Sequence, residues 1–274
     1  MTALLRMLLG IAALSSWPGW AVEAIDDLGH RVALQAPAKR VITLSPHATE
    51  LAVAAGLAER LVAISQGSPP PDALADLPRL GGTGPVDRER LLSLEPDLVI
   101  AWDSGNRAQD LAWLERNGIG VFRSEPGSLR ELIDSIRRLG RLGDTFSTAA
   151  RSAAGLEDRL VTPCQAVDRQ PVYVEIWQRP AITVGGDHWL NDVLEAAGYR
   201  NAFEHHPYGV FAVSDEARAA VWSLPVISLV PNDANHAIAG RLATPGTGLL
   251  DALEALCAQR LVRTQGMTRP TAQP

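Results

Sequence analysis

Through residues 41–142, apolar runs of about five residues alternate with longer stretches in which apolar side chains recur every third or fourth position. The runs at 41–45, 61–65, 98–102 and 119–123 are rich in aliphatic, β-branched and aromatic side chains, as buried strands are. Between them, 49–56 (TELAVAAG), 87–94, 106–117 and 128–142 carry the helical period, with Gly56 closing the first helix and Asp87 capping the second. This order predicts an α/β fold built on a mostly parallel sheet that is covered on both faces. Residues 66–71 and 81–85 are loops by composition. A long helix rich in small side chains follows at 144–161 (DTFSTAARSAAGLEDRLV), ending before Pro163. The rhythm then resumes with a strand at 172–177, a helix at 189–197 closed by Gly198, a strand at 226–230 and a terminal helix at 249–262. The expectation is two Rossmann-like α/β lobes, 22–143 and 164–263, joined by one interdomain helix, 144–163, with a ligand cleft between them. The tail 264–274, with two prolines and no apolar run, is expected to be disordered.

The first 21 residues stand apart. Arg6 is followed by an apolar run at 7–14, then by Ser15, Ser16 and Pro18, and then by Gly19-Trp20-Ala21, a small-x-small sequence. That is the order of a secretory signal, with cleavage expected after Ala21. The run falls well short of the ~20 residues a spanning helix needs. No cysteine follows it for lipid attachment, so the mature chain is expected free in an exported space. Cys164 and Cys257 are compatible with a disulfide there, but their spacing leaves the pairing open.

Composition narrows the chemistry. The chain has 274 residues, with 25 basic against 31 acidic side chains, and Lys39 is its sole lysine. Lys39 lies in neither a glycine-rich phosphate loop nor an apolar pocket sequence, which excludes Walker-type and Schiff-base chemistry. A net charge of −6 argues against nucleic acid, and Arg137, Arg138 and Arg141 have the spacing of a solvated helix face. Ser45 and Ser214 lack a nucleophile-elbow setting, and neither cysteine has a neighbouring histidine. Asp26-Asp27 and Asp187-His188 read as a turn and a helix start, so no catalytic residue is assigned. His205-His206, with His188 and His236, are metal-ligand types. Adjacent histidines diverge on most backbones, however, and no acidic triplet or cysteine accompanies them, so no metal site is assigned.

Three segments, 39–51 (KRVITLSPHATEL), 94–102 (LEPDLVIAW) and 117–121 (NGIGV), together resemble the helical-backbone class of periplasmic substrate-binding proteins of ABC importers. Residues 26–32 (DDLGHRV) resemble the hairpin with which many members begin. In the second lobe, 173–180 (YVEIWQRP), 183–186 (TVGG) and 198–203 (GYRNAF) are most similar to the cobalamin-binding branch. The resemblance implies a non-catalytic, monomeric periplasmic protein. It would carry cobalamin as its transported ligand, with no cofactor of its own, to an ABC permease and its ATPase in the inner membrane. Haem or a ferric siderophore is the alternative ligand within the same fold.

Site residues follow from the resemblance position by position. Pro46, His47 and Ala48 would present backbone amides at a helix start. Trp102 would lie flat on a macrocycle. Gln66 and Thr83 stand where the family has stacking aromatics, a departure from its pattern. Ile182, Tyr208, Val210 and Phe211 would face the ligand from the second lobe, and Asn232, Asp233 and His236 would supply a polar loop. The chain is about one strand and one helix shorter than its relatives between residues 214 and 245. Glu89 and Glu216, one on each lobe, match the glutamates that dock on permease arginines.

Overall fold

The computed structural model describes residues 22–67, 72–82, 84–161, 164, 168–230 and 236–267. It opens with an antiparallel hairpin of β1 (Val22–Ile25) and β2 (Arg31–Leu34). Asp26 builds the turn, its Oδ1 accepting the N–H groups of Leu28 at 3.0 Å and His30 at 2.8 Å. The neighbouring Asp27 is turned inward. It accepts from Ser135 Oγ (2.6 Å), Arg138 Nη2 (2.9 Å) and the Glu125 N–H (2.8 Å), which fastens the hairpin to the first lobe.

That lobe comprises β3 (Val41–Thr43), α1 (Pro46–Ala54), β4 (Leu61–Ser65), β5 (Arg79–Leu80), α2 (Arg88–Ser93), β6 (Leu98–Trp102), α3 (Ala108–Arg116), β7 (Gly120–Ser124) and α4 (Leu129–Leu142). Its strands form one parallel sheet in the order β5-β4-β3-β6-β7. Successive strand residues point to opposite faces, and here both faces are buried. Val41, Leu98 and Ile100 pack in one cluster with Leu51 of α1 and Ile133 and Ile136 of α4. Ile42, Val99 and Ala101 pack in another with Leu91 of α2 and Leu111 and Leu114 of α3. Covering both faces is what makes these strands continuous apolar runs.

Helix α1 begins three residues before its apolar period does. Ser45 Oγ caps it by accepting the Ala48 N–H at 3.3 Å, and Pro46 occupies the first turn, where a missing N–H breaks no helical bond. Asp87 and Ser128 cap α2 and α4 in the same way, accepting from the Arg90 and Glu131 amides at 3.0 and 3.1 Å.

Helix α5 (Phe146–Val161) connects the lobes and packs closely on α4. A Cβ at Gly140 would lie 2.3 Å from Ala149 Cβ, so only glycine allows this approach. The second lobe comprises β8 (Gln170–Glu175), β9 (Trp177–Gln178), β10 (Ala181–Val184), α6 (Leu190–Ala196), β11 (Tyr199–Asn201), β12 (Val210–Ala212), α7 (Asp215–Ala220), β13 (Val226–Ser228), α8 (His236–Leu242) and α9 (Gly248–Met267).

The structure refines the expected second lobe. Its parallel sheet has three strands, β11-β8-β13, and beside it lies an antiparallel sheet, β12-β10-β9, whose strands are too short to stand out in the apolar period. Strand β13 pairs with β8 as β6 pairs with β3, but among the described residues no strand lies beyond it in the place of β7. Helix α9 extends to Met267, so residues 264–267 are helical and the expected tail begins too early. Backbone hydrogen bonding there outlasts the apolar period. The leader 1–21 and residues 268–274 lie outside the described residues. Cys164 and Cys257 form a disulfide with a Cα–Cα distance of 5.4 Å, which ties the chain beyond α5 to α9.

Candidate functional site

A cleft of about 570 Å³ lies where the carboxyl ends of β6 and β7 face the second lobe. Ligands in α/β folds sit at such strand ends, because the loops that follow the strands are free to vary while the sheet holds them in place. Trp102, Ser104 and Glu125 form the first-lobe wall. Asp187, His188, Trp189, Val210 and Leu229 face them from the second lobe.

Trp102 is the last residue of β6, and its backbone N–H is bound by Asn106 Oδ1 at 2.8 Å. Asn106 is buried and donates from Nδ2 to the carbonyls of Leu44 (3.0 Å) and Gly82 (3.3 Å), which locks the turn to the sheet. The indole lies directly on the backbone of Gly105, where a Cβ would come within 2.0 Å of Trp102 Cε3. His47 meets the same indole edge-on, with ring centroids 5.6 Å apart and planes at 86°. Across the wall, Glu125 Oε1 accepts from Ser104 Oγ at 3.0 Å and from Trp102 Nε1 at 3.4 Å, while Oε2 accepts the Ser104 N–H at 2.8 Å.

Two histidines here are neutral. Burial lowers the His47 pKa from 6.5 to about 4, and its Nε2 has no hydrogen-bond partner among the described residues. His188 is lowered to about 4, again by burial, against the opposing pull of Asp187. Its Nδ1 accepts the Leu190 N–H at 3.2 Å, which assigns the ring proton to Nε2.

A second cavity, of about 730 Å³, lies between α1, α5 and the start of α9. Its charged side chains are engaged with one another, with neighbouring hydroxyls or with backbone. Glu50 accepts from Thr247 Oγ1 and the Gly248 N–H, and Arg159 pairs with Asp251 at 2.6 Å and Glu254 at 2.8 Å.

The residues singled out from sequence divide. Trp102 and Val210 line the cleft. Pro46, His47 and Ala48 do not, because they form the first turn of α1: Pro46 lines the second cavity, His47 is buried behind Trp102, and the Ala48 amide is taken by Ser45. Phe211 neighbours Val210 on β12 and therefore projects to the opposite side, where it stacks on His206 at 3.5 Å. Tyr208 is 65% exposed and packs on His206. Ile182 sits within β10, its carbonyl accepting the Ile176 N–H, and it is Ile176 that reaches the cleft. Gln66 is exposed beside Gly82 and is not among the residues that line the cleft. Thr83, Asn232 and Asp233 lie outside the described residues, as does the side chain of His236, which opens α8. Glu89 and Glu216 are both exposed second residues of their helices, behind the caps Asp87 and Ser214, at corresponding places in the two lobes. Glu125 and Ser104 carry no signal in the sequence beyond following the carboxyl ends of strands; His188 reads there as a metal-ligand type and, with Asp187, as a helix start rather than an acid-base pair.

A family model described as Periplasmic binding protein matches residues 41–223. The vitamin B12-binding protein of Vibrio parahaemolyticus is 33% identical over 170 residues, 61% of this chain and 62% of that protein, so this chain spans less than two thirds of that relative's length. The vitamin B12-binding protein of Vibrio cholerae is 32% identical over 245 residues, covering 81% of this chain and 88% of that one. The crystal structure of the periplasmic vitamin B12-binding protein BtuF of Vibrio cholerae superposes with a TM-score of 0.70 at 28% identity, over 84% of this chain and 99% of that chain. With two lobes meeting at a strand-end cleft and the family model spanning most of both, this chain belongs to the periplasmic binding protein family, whose members bind solutes and are not enzymes.

Proposed function

We propose that this chain is a monomeric periplasmic carrier that captures cobalamin between its lobes and delivers it to an ABC permease, whose ATPase supplies the energy. The leader 1–21 would direct export and be removed. The observation that carries the ligand reading is Trp102: a half-buried indole, held by Gly105 and His47 on the wall of an interlobe cleft, offers a flat apolar face to a macrocycle. The names of the relatives support a corrinoid as that macrocycle. Glu89 and Glu216 suit permease docking, since exposed rim charges orient a complex more than they tighten it.

Titrating the purified protein while following tryptophan fluorescence tests this reading. Cyanocobalamin is expected to quench at sub-micromolar concentration, with haem weaker. Tight haem or ferric-siderophore binding without a cobalamin response would overturn it.

A further inference from the structure

The described lining of the cleft contains carboxylates and neither arginine nor lysine. Glu125 is fixed from two sides: its backbone N–H is held by Asp27, and its carboxylate takes the three donors from Ser104 and Trp102. A carboxylate offers about four acceptor sites. Oε1 has two donors and Oε2 has one, which leaves an acceptor position on Oε2 at the cleft wall. Opposite, His188 lines the cleft with its Nδ1 committed to the Leu190 N–H, so the ring offers a donor at Nε2 and no basic nitrogen for a metal. Burial keeps that ring neutral at any pH above about 5.

We propose that Glu125 and His188 set the ligand class of this cleft: Glu125 accepts from, and His188 donates to, neutral carboxamides on the rim of a macrocycle lying on Trp102, and Glu125 turns away rims that carry carboxylates. The inference rests on the corrinoid reading above and adds its chemical basis. A carboxamide offers both an N–H and a C=O and satisfies both walls. A carboxylate would confront the Glu125 carboxylate at the cleft wall with no cation among the described lining to offset it, an arrangement that selects by repulsion. Haem, whose rim bears carboxylates, falls in the rejected class.

The test compares cyanocobalamin with a cobalamin monocarboxylic acid, in which one peripheral amide has been hydrolysed, by fluorescence titration and calorimetry. The wild type is expected to prefer the amide form by about 30-fold. Glu125→Gln, which keeps an acceptor for Ser104, is expected to narrow this preference to about 3-fold, a change in ratio that a purely structural role would not produce. His188→Phe is expected to weaken cyanocobalamin about 10-fold, with His188→Gln, which retains an N–H donor, restoring most of it. Equal binding of both forms by the wild type, or a ratio unchanged in Glu125→Gln, overturns the inference while leaving cobalamin binding intact. A wild type that binds neither form overturns the corrinoid reading itself, and this inference with it.

Discussion

Asp192 Oδ2, on α6 of the second lobe, accepts the backbone N–H of Leu129, the first residue of α4 in the first lobe, at 2.9 Å. Glu50 of α1 returns the contact, accepting the N–H of Gly248 at 3.0 Å at the start of α9. Each lobe thus caps a long helix of the other with a carboxylate, satisfying an orphan N–H and meeting the positive end of a helix dipole. The two contacts span the lobe boundary, the first near the cleft and the second in the cavity between α1, α5 and α9, and help fix how the lobes sit on each other.

Removing both caps should therefore loosen the lobes without unfolding them. The double variant Asp192→Ala/Glu50→Ala is expected to release bound corrinoid about 3- to 10-fold faster, as loss of two caps worth about 1 kcal/mol each would allow. Stopped-flow displacement measures this, and an unchanged off-rate would show that α5 and the disulfide alone hold the geometry.

Gly105 offers a more local perturbation. Gly105→Ala would place a methyl carbon 2.0 Å from Trp102 Cε3, so the indole must move off the turn. An affinity loss of about 10-fold or more is expected, comparable to that of Trp102→Ala, since both remove an aromatic anchor. Isothermal titration of the two variants checks it, with thermal melts to show that each remains folded.

His47 makes stability depend on pH. Its folded pKa of about 4 lies below the ordinary 6.5, so the unfolded chain binds more protons between those values. Its contribution is fully present above pH 6.5 and is lost as pH falls toward 4, by roughly 3 kcal/mol. His47→Leu should flatten the fall in urea midpoint over that window, and an equally steep fall in the variant would assign the effect to other groups.

The disulfide joins residues 93 apart in sequence. Loop-closure entropy for a cross-link of that length is worth about 4.6 kcal/mol, so Cys257→Ser, or reduction with dithiothreitol, is expected to lower stability by a large fraction of that. Denaturant unfolding with and without reductant measures the difference.

Reversing both docking carboxylates separates binding from delivery. Glu89→Arg with Glu216→Arg should leave cobalamin affinity within about 2-fold, because both residues stand on exposed helix turns outside the cleft, while abolishing uptake through the permease. Normal uptake in cells carrying the double variant would refute the docking assignment.

How much of the molecule can be read without coordinates follows from which interactions are local. The strands 61–65 and 98–102 coincide with β4 and β6, and Asp87, Ser128 and Gly198 act at the helix ends where they were expected, because burial period and capping chemistry operate within a few residues. The same holds for Trp102, whose place at a strand's carboxyl end follows from the apolar run before it. Helix α1 starts ahead of its apolar period because Ser45 and Pro46 carry none of it, and the resemblance that set Pro46, His47 and Ala48 at a helix start is silent on their burial within that turn. The pairing of Cys164 with Cys257, the crossed caps of Asp192 and Glu50, and the convergence of Glu125 with His188 join residues from 63 to 198 positions apart. Local propensity assigns such residues to helices and strands but is silent on which of them meet; that is settled when α5 sets one lobe against the other and turns two ordinary strand and helix ends into the facing walls of a site.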